Sequence, residues 1–229
     1  QESEWIIQGT IEEDTPIRWM NHFFNPVNKL GVFGFSSAND WAVSNMEQMA
    51  YPTGYQTWQK AISSYAKGNK KEAFVALGHI LHLIEDMAVP AHTRSDDHAT
   101  GDPYEGWAKK NSQRNFTNVA PISFGSLGEY FDGMAKYSNK YFLSEDSVYG
   151  NELENKEHFF KKINNTESIE CVMGVIDNNS FCLIKYKEDK FGVPEYLFDS
   201  PVHSDYYSLL APKAISYGAG VIDLFFKEA

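Results

Sequence analysis

Apolar side chains recur at helical spacing along much of the chain. Trp58, Ile62 and Tyr65 lie three or four positions apart, which predicts a helix from about residue 55 to 67. Further helices are predicted over residues 40–50, 71–88, 127–143 and 206–227. Asp102 followed by Pro103 resembles an N-cap with proline at the first helical position, which predicts a helix over residues 103–114. The pattern therefore indicates a largely helical protein.

Residues 169–198 have a different pattern. Apolar, β-branched and aromatic residues stand there around turn signals, which predicts two to four strands. Residues 144–165 are charged and are predicted to form a loop. At this length one domain is the default, so we expect a single domain over residues 1–229, mainly α, with a small β insertion at about 166–200.

The two cysteines lie on either side of a turn-like stretch within the predicted strands. If the hairpin turn is centred on residues 178–179, Cys182 faces Val175 and Cys171 faces Tyr186. The cysteines would then be four residues apart along the strands, roughly 13 Å. A disulfide needs Cα atoms within about 7 Å. This register predicts two free thiols and leaves the redox compartment open.

Charge excludes one class of partner. The formal net charge of −11 repels nucleic acid, and no basic run is interleaved with aromatic residues. We therefore expect no binding to duplex nucleic acid. No apolar run approaches the roughly 20 residues of a membrane span, so none is predicted. The chain shows no signal peptide, but a mature secreted chain would have lost one.

Histidines and carboxylates are concentrated between His82 and Glu105. His82 and Asp86 are four residues apart on a predicted helix, so their side chains share one face and can bind one zinc ion. Asp86 stands among apolar residues, where a buried, unpaired carboxylate is costly and a cation would offset the cost. His92 and His98 follow within a few residues. This cluster predicts a zinc site.

Upstream of this cluster, Asp14 and His22 flank a polar and aromatic stretch without an obvious helical face. In isolation they carry little weight. A zinc ion bound by His82 and Asp86 still needs further ligands. Asp14 and His22 are candidates for that role.

These motifs resemble a known family. In residues 82–92 a histidine and an aspartate four apart are followed by Pro-Ala-His, which resembles the signature of the zinc-dependent phospholipase C and S1/P1 nuclease family. Residues 21–26 (NHFFNP) resemble the family's His-aromatic-aromatic-x-Pro element, and residues 104–107 (YEGW) resemble its Tyr-Glu-x-aromatic element. The resemblance covers about residues 9–107 and 204–226.

The resemblance implies a fold and a set of zinc ligands. The family has a multi-helix bundle with a trinuclear zinc site, so we expect a phospholipase C/P1 nuclease-like bundle here. One zinc ion would be held by Asp14, His22, His82 and Asp86, and a second by His92, His98 and Glu105. Glu13 is an alternative to Asp14, and Asp97 or Asp102 is an alternative to His98.

The N-terminus departs from the family pattern. The family's third zinc ion uses the amino terminus of a tryptophan and a histidine in the first helix, with the aspartate equivalent to Asp86 bridging. This chain begins at Gln1 and has no histidine before His22. Two zinc sites are therefore expected within this chain, and a third is allowed.

The activity implied by the resemblance is phosphodiester hydrolysis of the phospholipase C type, with Asp14 orienting or deprotonating the attacking water. Trp19, Phe23 and Arg94 are predicted to contact the substrate, the aromatics by enclosing a quaternary ammonium group or by stacking on a base. A phospholipid substrate would bring peripheral membrane contact, and the family implies a secreted or periplasmic protein. The alternatives are an S1/P1-type single-strand nuclease and a catalytically silent, zinc-stabilised binding module.

Overall fold

The computed structural model describes residues 1–51, 54–98, 101–112, 114–148, 150–153 and 155–229. Its helices are, in chain order, α1 Glu2–Glu13, α2 Ala38–Trp41, α3 Asn45–Gln48, α4 Trp58–Ala66, α5 Lys70–Asp86, α6 Pro90–Arg94, α7 Pro103–Asn111, α8 Leu127–Tyr141, α9 Gly150–Leu153 and α10 Ser200–Glu228. Short 3-10 helices cover Arg18–Asn21 and Glu145–Ser147. The strands are β1 His158–Lys162, β2 Ser168–Ile176, β3 Asn179–Glu188 and β4 Pro194–Leu197.

The helix α5 is the centre of the fold. It is buried over most of its circumference from Ala73 to Ile84, and α1, α4, α8 and α10 pack around it. A helix that is apolar on nearly all sides needs such neighbours. The last turn of α5 carries His82 and Asp86. The packing of α5 in the core therefore fixes the positions of these two residues.

The helix α1 crosses α5 at very close range, at Gly9 and Gly78. A Cβ atom on Gly9 would lie 2.0 Å from the backbone oxygen of Val75, and one on Gly78 would lie 2.2 Å from that of Ile6. Only glycine allows the two backbones to approach this closely. The sequence pattern did not predict α1, because the helix buries only Gly9 and Glu13 and has few apolar positions.

The four strands form one antiparallel sheet in the order β1-β2-β3-β4. The predicted β insertion began too late, since β1 lies within the stretch expected to be loop. The sheet packs on α10: the Tyr206 hydroxyl donates to the carbonyl of Leu183 at 2.7 Å and accepts from the amide of Leu143 at 3.1 Å. It therefore belongs to the body of the protein.

The prediction of a mainly α bundle was wrong. Helices account for 51% of the residues, and the sheet contributes to the same hydrophobic core as the helices, so the fold is a helix-rich mixture of α and β structure. The core residues from the sheet are Ile169, Cys171, Val172, Ile176, Phe181, Cys182, Leu183 and Ile184. The insertion was treated as an addition to a helical body because its burial cannot be seen in the strand pattern alone.

The prediction of two free thiols was also wrong. Cys171 and Cys182 form a disulfide with a Cα–Cα distance of 5.3 Å. The turn is made by Asp177 and Asn178, which both have positive φ as a two-residue hairpin turn requires. The turn is centred one residue earlier than expected, so Cys182 faces Met173, which is two residues closer to Cys171 than Val175 is. An irregularity in the pairing lies between Val172 and Met173.

The helix α10 is long and apolar enough, by length and composition, to cross a membrane. Helices in the core of a globular protein meet the same criterion. In this structure α10 packs against α5, α7, α8 and β3 and buries Val202, Tyr206 and Leu210. That the chain has no membrane span stays a prediction.

Candidate metal centre

A cleft of about 530 Å³ opens where the ends of α1 and α5 meet α6 and α7. All seven residues expected to bind zinc line this cleft: Asp14, His22, His82, Asp86, His92, His98 and Glu105. They come from six parts of the chain: the residue after α1, the residue after the first 3-10 helix, α5, α6, the loop after α6, and α7. Within the described residues, none of the side chains that line the cleft comes from the sheet.

The first ligand group consists of Asp14, His22 and His82. One potential ligand atom of each lies within 4.8 Å of the others. Asp14 follows the last residue of α1, His22 follows the first 3-10 helix, and His82 lies near the end of α5. The group therefore depends on the close packing of α1 against α5.

Asp86 lies between the two parts of the cleft. Its Oδ2 atom is 2.9 Å from His22 Nδ1, 3.4 Å from His82 Nε2 and 3.7 Å from His92 Nδ1. Burial alone would raise the pKa of this carboxyl group, but the charges of His82, His22 and His92 hold it below its ordinary value. One carboxylate oxygen thus faces three imidazoles.

The second ligand group consists of His92, His98 and Glu105, again with one atom of each within 4.8 Å of the others. His92 lies on α6 and Glu105 in the first turn of α7, while His98 belongs to the loop between these helices. Ser95 and His98 both have positive φ, which turns this loop back over α6. His98 Nε2 is then 3.3 Å from His92 Nε2 and 3.9 Å from Glu105 Oε2.

Phe23 and Trp19 have different positions in the cleft. Phe23 is 4% exposed, and its ring lies 4.7 Å from that of His92 and 5.3 Å from that of His98. Its ring therefore packs against the rings of these two histidines. Trp19 is 45% exposed and lines the cleft, so it is the aromatic side chain free to meet a ligand.

Arg94 was expected to contact substrate, but its guanidinium group points into the protein. It donates to the carbonyl oxygens of Asn139, Phe142 and Ser147 and forms a salt bridge with Glu152 at 2.6 Å. Its side chain is only 9% exposed and does not line the cleft. The structure therefore gives Arg94 a role in holding residues 139–152 against α6.

The structure gives the positions of the alternative ligands that the sequence left open. Glu13 is fully buried and bound to other side chains, whereas Asp14 is exposed to the cleft. Asp102 caps α7 by accepting from the amide of Glu105 at 2.8 Å, and it lines the cleft together with Asp97. The geometric groups contain Asp14 and His98 and none of the three alternatives.

The sequence did not single out Lys109, a charged residue of the cleft. Lys109 lines the cleft on α7, one helical turn after Glu105, and is exposed. Its spacing of four residues from a predicted ligand was the available signal. A further acidic group, Asp96, Asp97 and Asp146, has ligand spacing too, but both Asp96 oxygens accept backbone N–H groups, from His98 and from Asp146.

Buried polar atoms test whether a metal fits this site. Asp86 Oδ2 and His92 Nδ1 are buried and have no hydrogen-bond partner in the described part of the chain. Leaving such atoms unsatisfied is costly, and a divalent cation satisfies an anionic oxygen and imidazole lone pairs together. The donor set of imidazoles and carboxylates is the one that zinc prefers in catalytic sites. These residues therefore fit a zinc ion.

The side chains of the two groups differ in their pKa values. Burial would lower the pKa of His22, but the nearby charges of Asp86 and Glu13 raise it to about 10. Burial lowers the pKa of His92 to about 4. Burial, followed by the Asp86 charge, raises the pKa of Glu105 to about 7. At neutral pH His22 is therefore an imidazolium, and His92 is neutral.

No protein-family model matches the chain, and no curated protein matches it significantly. The class of protein is therefore defined by the site alone: a cleft in a helix-rich α and β fold, in which two groups of histidines and carboxylates share a central aspartate.

Proposed function

We propose that the protein is a zinc-dependent phosphodiester hydrolase of the phospholipase C type, related to the phospholipase C and S1/P1 nuclease family. The observation that carries the proposal is the pair of three-residue ligand groups on one open cleft. Three protein ligands with an open position are typical of catalytic zinc, whereas structural zinc sites are closed by four.

Each residue of the cleft has a role in this proposal. Zinc ions held by the two groups, with Asp86 between them, would neutralise a phosphodiester and lower the pKa of a bound water toward about 7. Asp14 is exposed in the cleft, where its carboxylate can orient the attacking water and accept its proton. Lys109 adds a positive charge that can pair with a phosphate oxygen.

A phospholipid is the favoured substrate. The net charge of −11 disfavours a polyanion, and a zwitterionic headgroup avoids that repulsion. The loop beside the cleft exposes large apolar side chains, with Val27 80%, Leu30 62% and Phe33 68% exposed. The amide of Phe24, at the start of this loop, donates to the carbonyl of His92, so a membrane touching the loop would meet the cleft.

Two further expectations belong to this proposal. The disulfide between Cys171 and Cys182 is of the kind that persists in oxidising compartments, which supports a secreted or periplasmic location. The exposed ring of Trp19 favours one alternative activity, hydrolysis of single-stranded nucleic acid, because a base can stack on it.

The test combines metal counting with a substrate panel. An anomalous-scattering map at the zinc edge should show two zinc ions, at the groups containing His82 and His98. The zinc-loaded protein should hydrolyse phosphatidylcholine, lose this activity in a chelator and regain it with zinc. Single-stranded DNA as the preferred substrate would favour the nuclease, and two zinc ions without any hydrolysis would favour the silent binding module.

A matched pair of variants controls this test. His82→Ala removes a cleft histidine and should lower hydrolysis by at least about 100-fold, the scale on which a positioned catalytic group contributes. His158→Ala removes a histidine on β1 that binds Glu170 outside the cleft, and should leave hydrolysis unchanged. Equal losses in the two variants would contradict the assignment of the cleft.

A further inference from the structure

Glu13 is a buried carboxylate one residue before Asp14, yet it does not line the cleft. Its Oε2 atom accepts from Arg18 Nε at 2.8 Å and contacts His79 Nδ1 at 2.5 Å. Its Oε1 atom accepts from Trp41 Nε1 at 2.8 Å and lies 3.6 Å from His22 Nε2. The two oxygens thus face different neighbours, and one of them faces the ring of a candidate ligand.

His22 lies between this carboxylate and the cleft. Its Nδ1 atom is 2.9 Å from the oxygen of Asp86 that faces the other imidazoles, and its Nε2 atom is on the side of Glu13. A neutral imidazole carries a proton on one nitrogen and a lone pair on the other. Asp86 is itself a candidate ligand, so a metal held there would take the Nδ1 lone pair; the proton would then lie on Nε2, where the Glu13 carboxylate favours it.

A buried carboxylate is costly unless it is compensated. Arg18 provides the compensation: it is 2% exposed, and its guanidinium group also contacts Gln48 Oε1 at 3.1 Å and lies 5.0 Å above the Trp41 ring. The charge pair therefore leaves Oε1 to accept from Trp41 Nε1 and to face His22 Nε2 at 3.6 Å, within ion-pair distance.

We propose that Glu13 is a positioning residue for the first ligand group: it fixes His22 as the Nε2–H tautomer, so that Nδ1 is the atom offered to a metal. Carboxylates of this kind orient histidine ligands and raise their basicity. The inference rests on the proposed zinc binding at this group. It extends that proposal by assigning a task to a residue outside the cleft.

The variant Glu13→Gln tests the assignment because it keeps the side-chain volume and removes the charge. In a zinc titration against a chromophoric chelator, we expect the affinity of the group containing His22 to fall about 10- to 100-fold. The affinity of the group containing His98 should not change. His79→Gln is the matched control: it disturbs the other oxygen of Glu13 and should lower the melting temperature without changing either affinity.

A second measurement needs only the wild-type chain and holds even if Glu13→Gln does not fold. In the zinc-loaded protein labelled with ¹⁵N-histidine, the NMR correlations of His22 should show a proton on Nε2 and a metal on Nδ1. A metal on Nε2, or equal weakening of both groups in Glu13→Gln, would overturn the role of Glu13. An unchanged first group in that variant would overturn it too. A wild-type protein that binds no zinc would instead overturn the proposed function, and this inference with it.

Discussion

The two ligand groups of the cleft are built in different ways. The first joins Asp14, His22 and His82, which are far apart in the sequence and meet only because α1 crosses α5 at Gly9. The second joins side chains from one continuous stretch, residues 92–105, carried by two short helices and the loop between them. The first group is held by the core, and the second by local backbone geometry.

This difference should affect how strongly each group binds a metal and at which pH its ligands lose their protons. Residues held by a packed core are pre-organised, so little conformational entropy is lost when a metal binds. The loop that carries His98 has fewer such constraints, although Phe23 packs against two of the three side chains in the second group. The following changes should separate the two groups or show where they are joined.

The largest effect is expected at Asp86, where the groups are joined. Its Oδ2 atom lies within 3.7 Å of imidazoles from both groups, so Asp86→Asn should weaken zinc binding at both, by well over the roughly 100-fold of an outer-shell change. The chelator-competition titration that resolves two affinities is the measurement. His82→Ala is the control and should weaken the first group alone. A loss confined to one group in Asp86→Asn would show that this carboxylate is not shared.

The next effect is the dependence of zinc affinity on pH, because a metal must displace any proton on its ligands. Glu13 and Asp86 overcome burial and raise the pKa of His22 to about 10, so its proton is bound below that pH and must leave when zinc binds. The first affinity should therefore rise about tenfold per pH unit from pH 7 to 9.

The zinc affinity of the second group should respond to pH in a different pH range. His92, with a pKa of about 4, is already neutral, and Glu105, with a pKa of about 7, loses its proton near neutrality. The second affinity should fall as the pH drops below 7 and should be nearly constant above 8. Calorimetry in buffers of different ionisation enthalpy counts the protons released at each group. Parallel pH profiles would contradict this distinction.

The same contrast explains what the sequence could predict. Residues 82–105 carry most of the candidate ligands in one stretch, so spacing on a predicted helix and a family resemblance were enough to select them. The structure brings all seven selected residues to one cleft, and that they bind zinc stays a prediction. Arg94 was selected only because it lies within this stretch, and its orientation depends on residues 139–152, which sequence proximity does not reveal.

Errors arose where tertiary contacts decide the outcome. The helix α1 has one narrow buried side, and its glycine weakens the helical signal while it allows the crossing with α5. The sheet was expected to be peripheral because the pattern of a strand does not say what covers it. The cysteine pairing was predicted wrongly because the hairpin turn lies one residue earlier than expected, which moves each cross-strand partner near the turn by two residues.

The smallest effects are expected from two glycines, one for each group. Gly9→Ala should destabilise the zinc-free protein by about 1–3 kcal/mol, because its Cβ would lie 2.0 Å from the Val75 oxygen and push α1 away from α5. The first zinc affinity should fall as Asp14 and His22 shift, while the second should not change. Chemical unfolding and the zinc titration measure the two effects.

Gly106→Ala is the counterpart on α7, the helix that carries Glu105. No atom lies within 4 Å of the added Cβ, so the only consequence is the higher helix propensity of alanine, which should stabilise the zinc-free protein by about 0.5–1 kcal/mol. Zinc affinity at both groups should be unchanged. If Gly9→Ala instead weakened both groups equally, the two groups would share one structural support. The crossing of α1 and α5 would then not be a support that belongs to the first group alone.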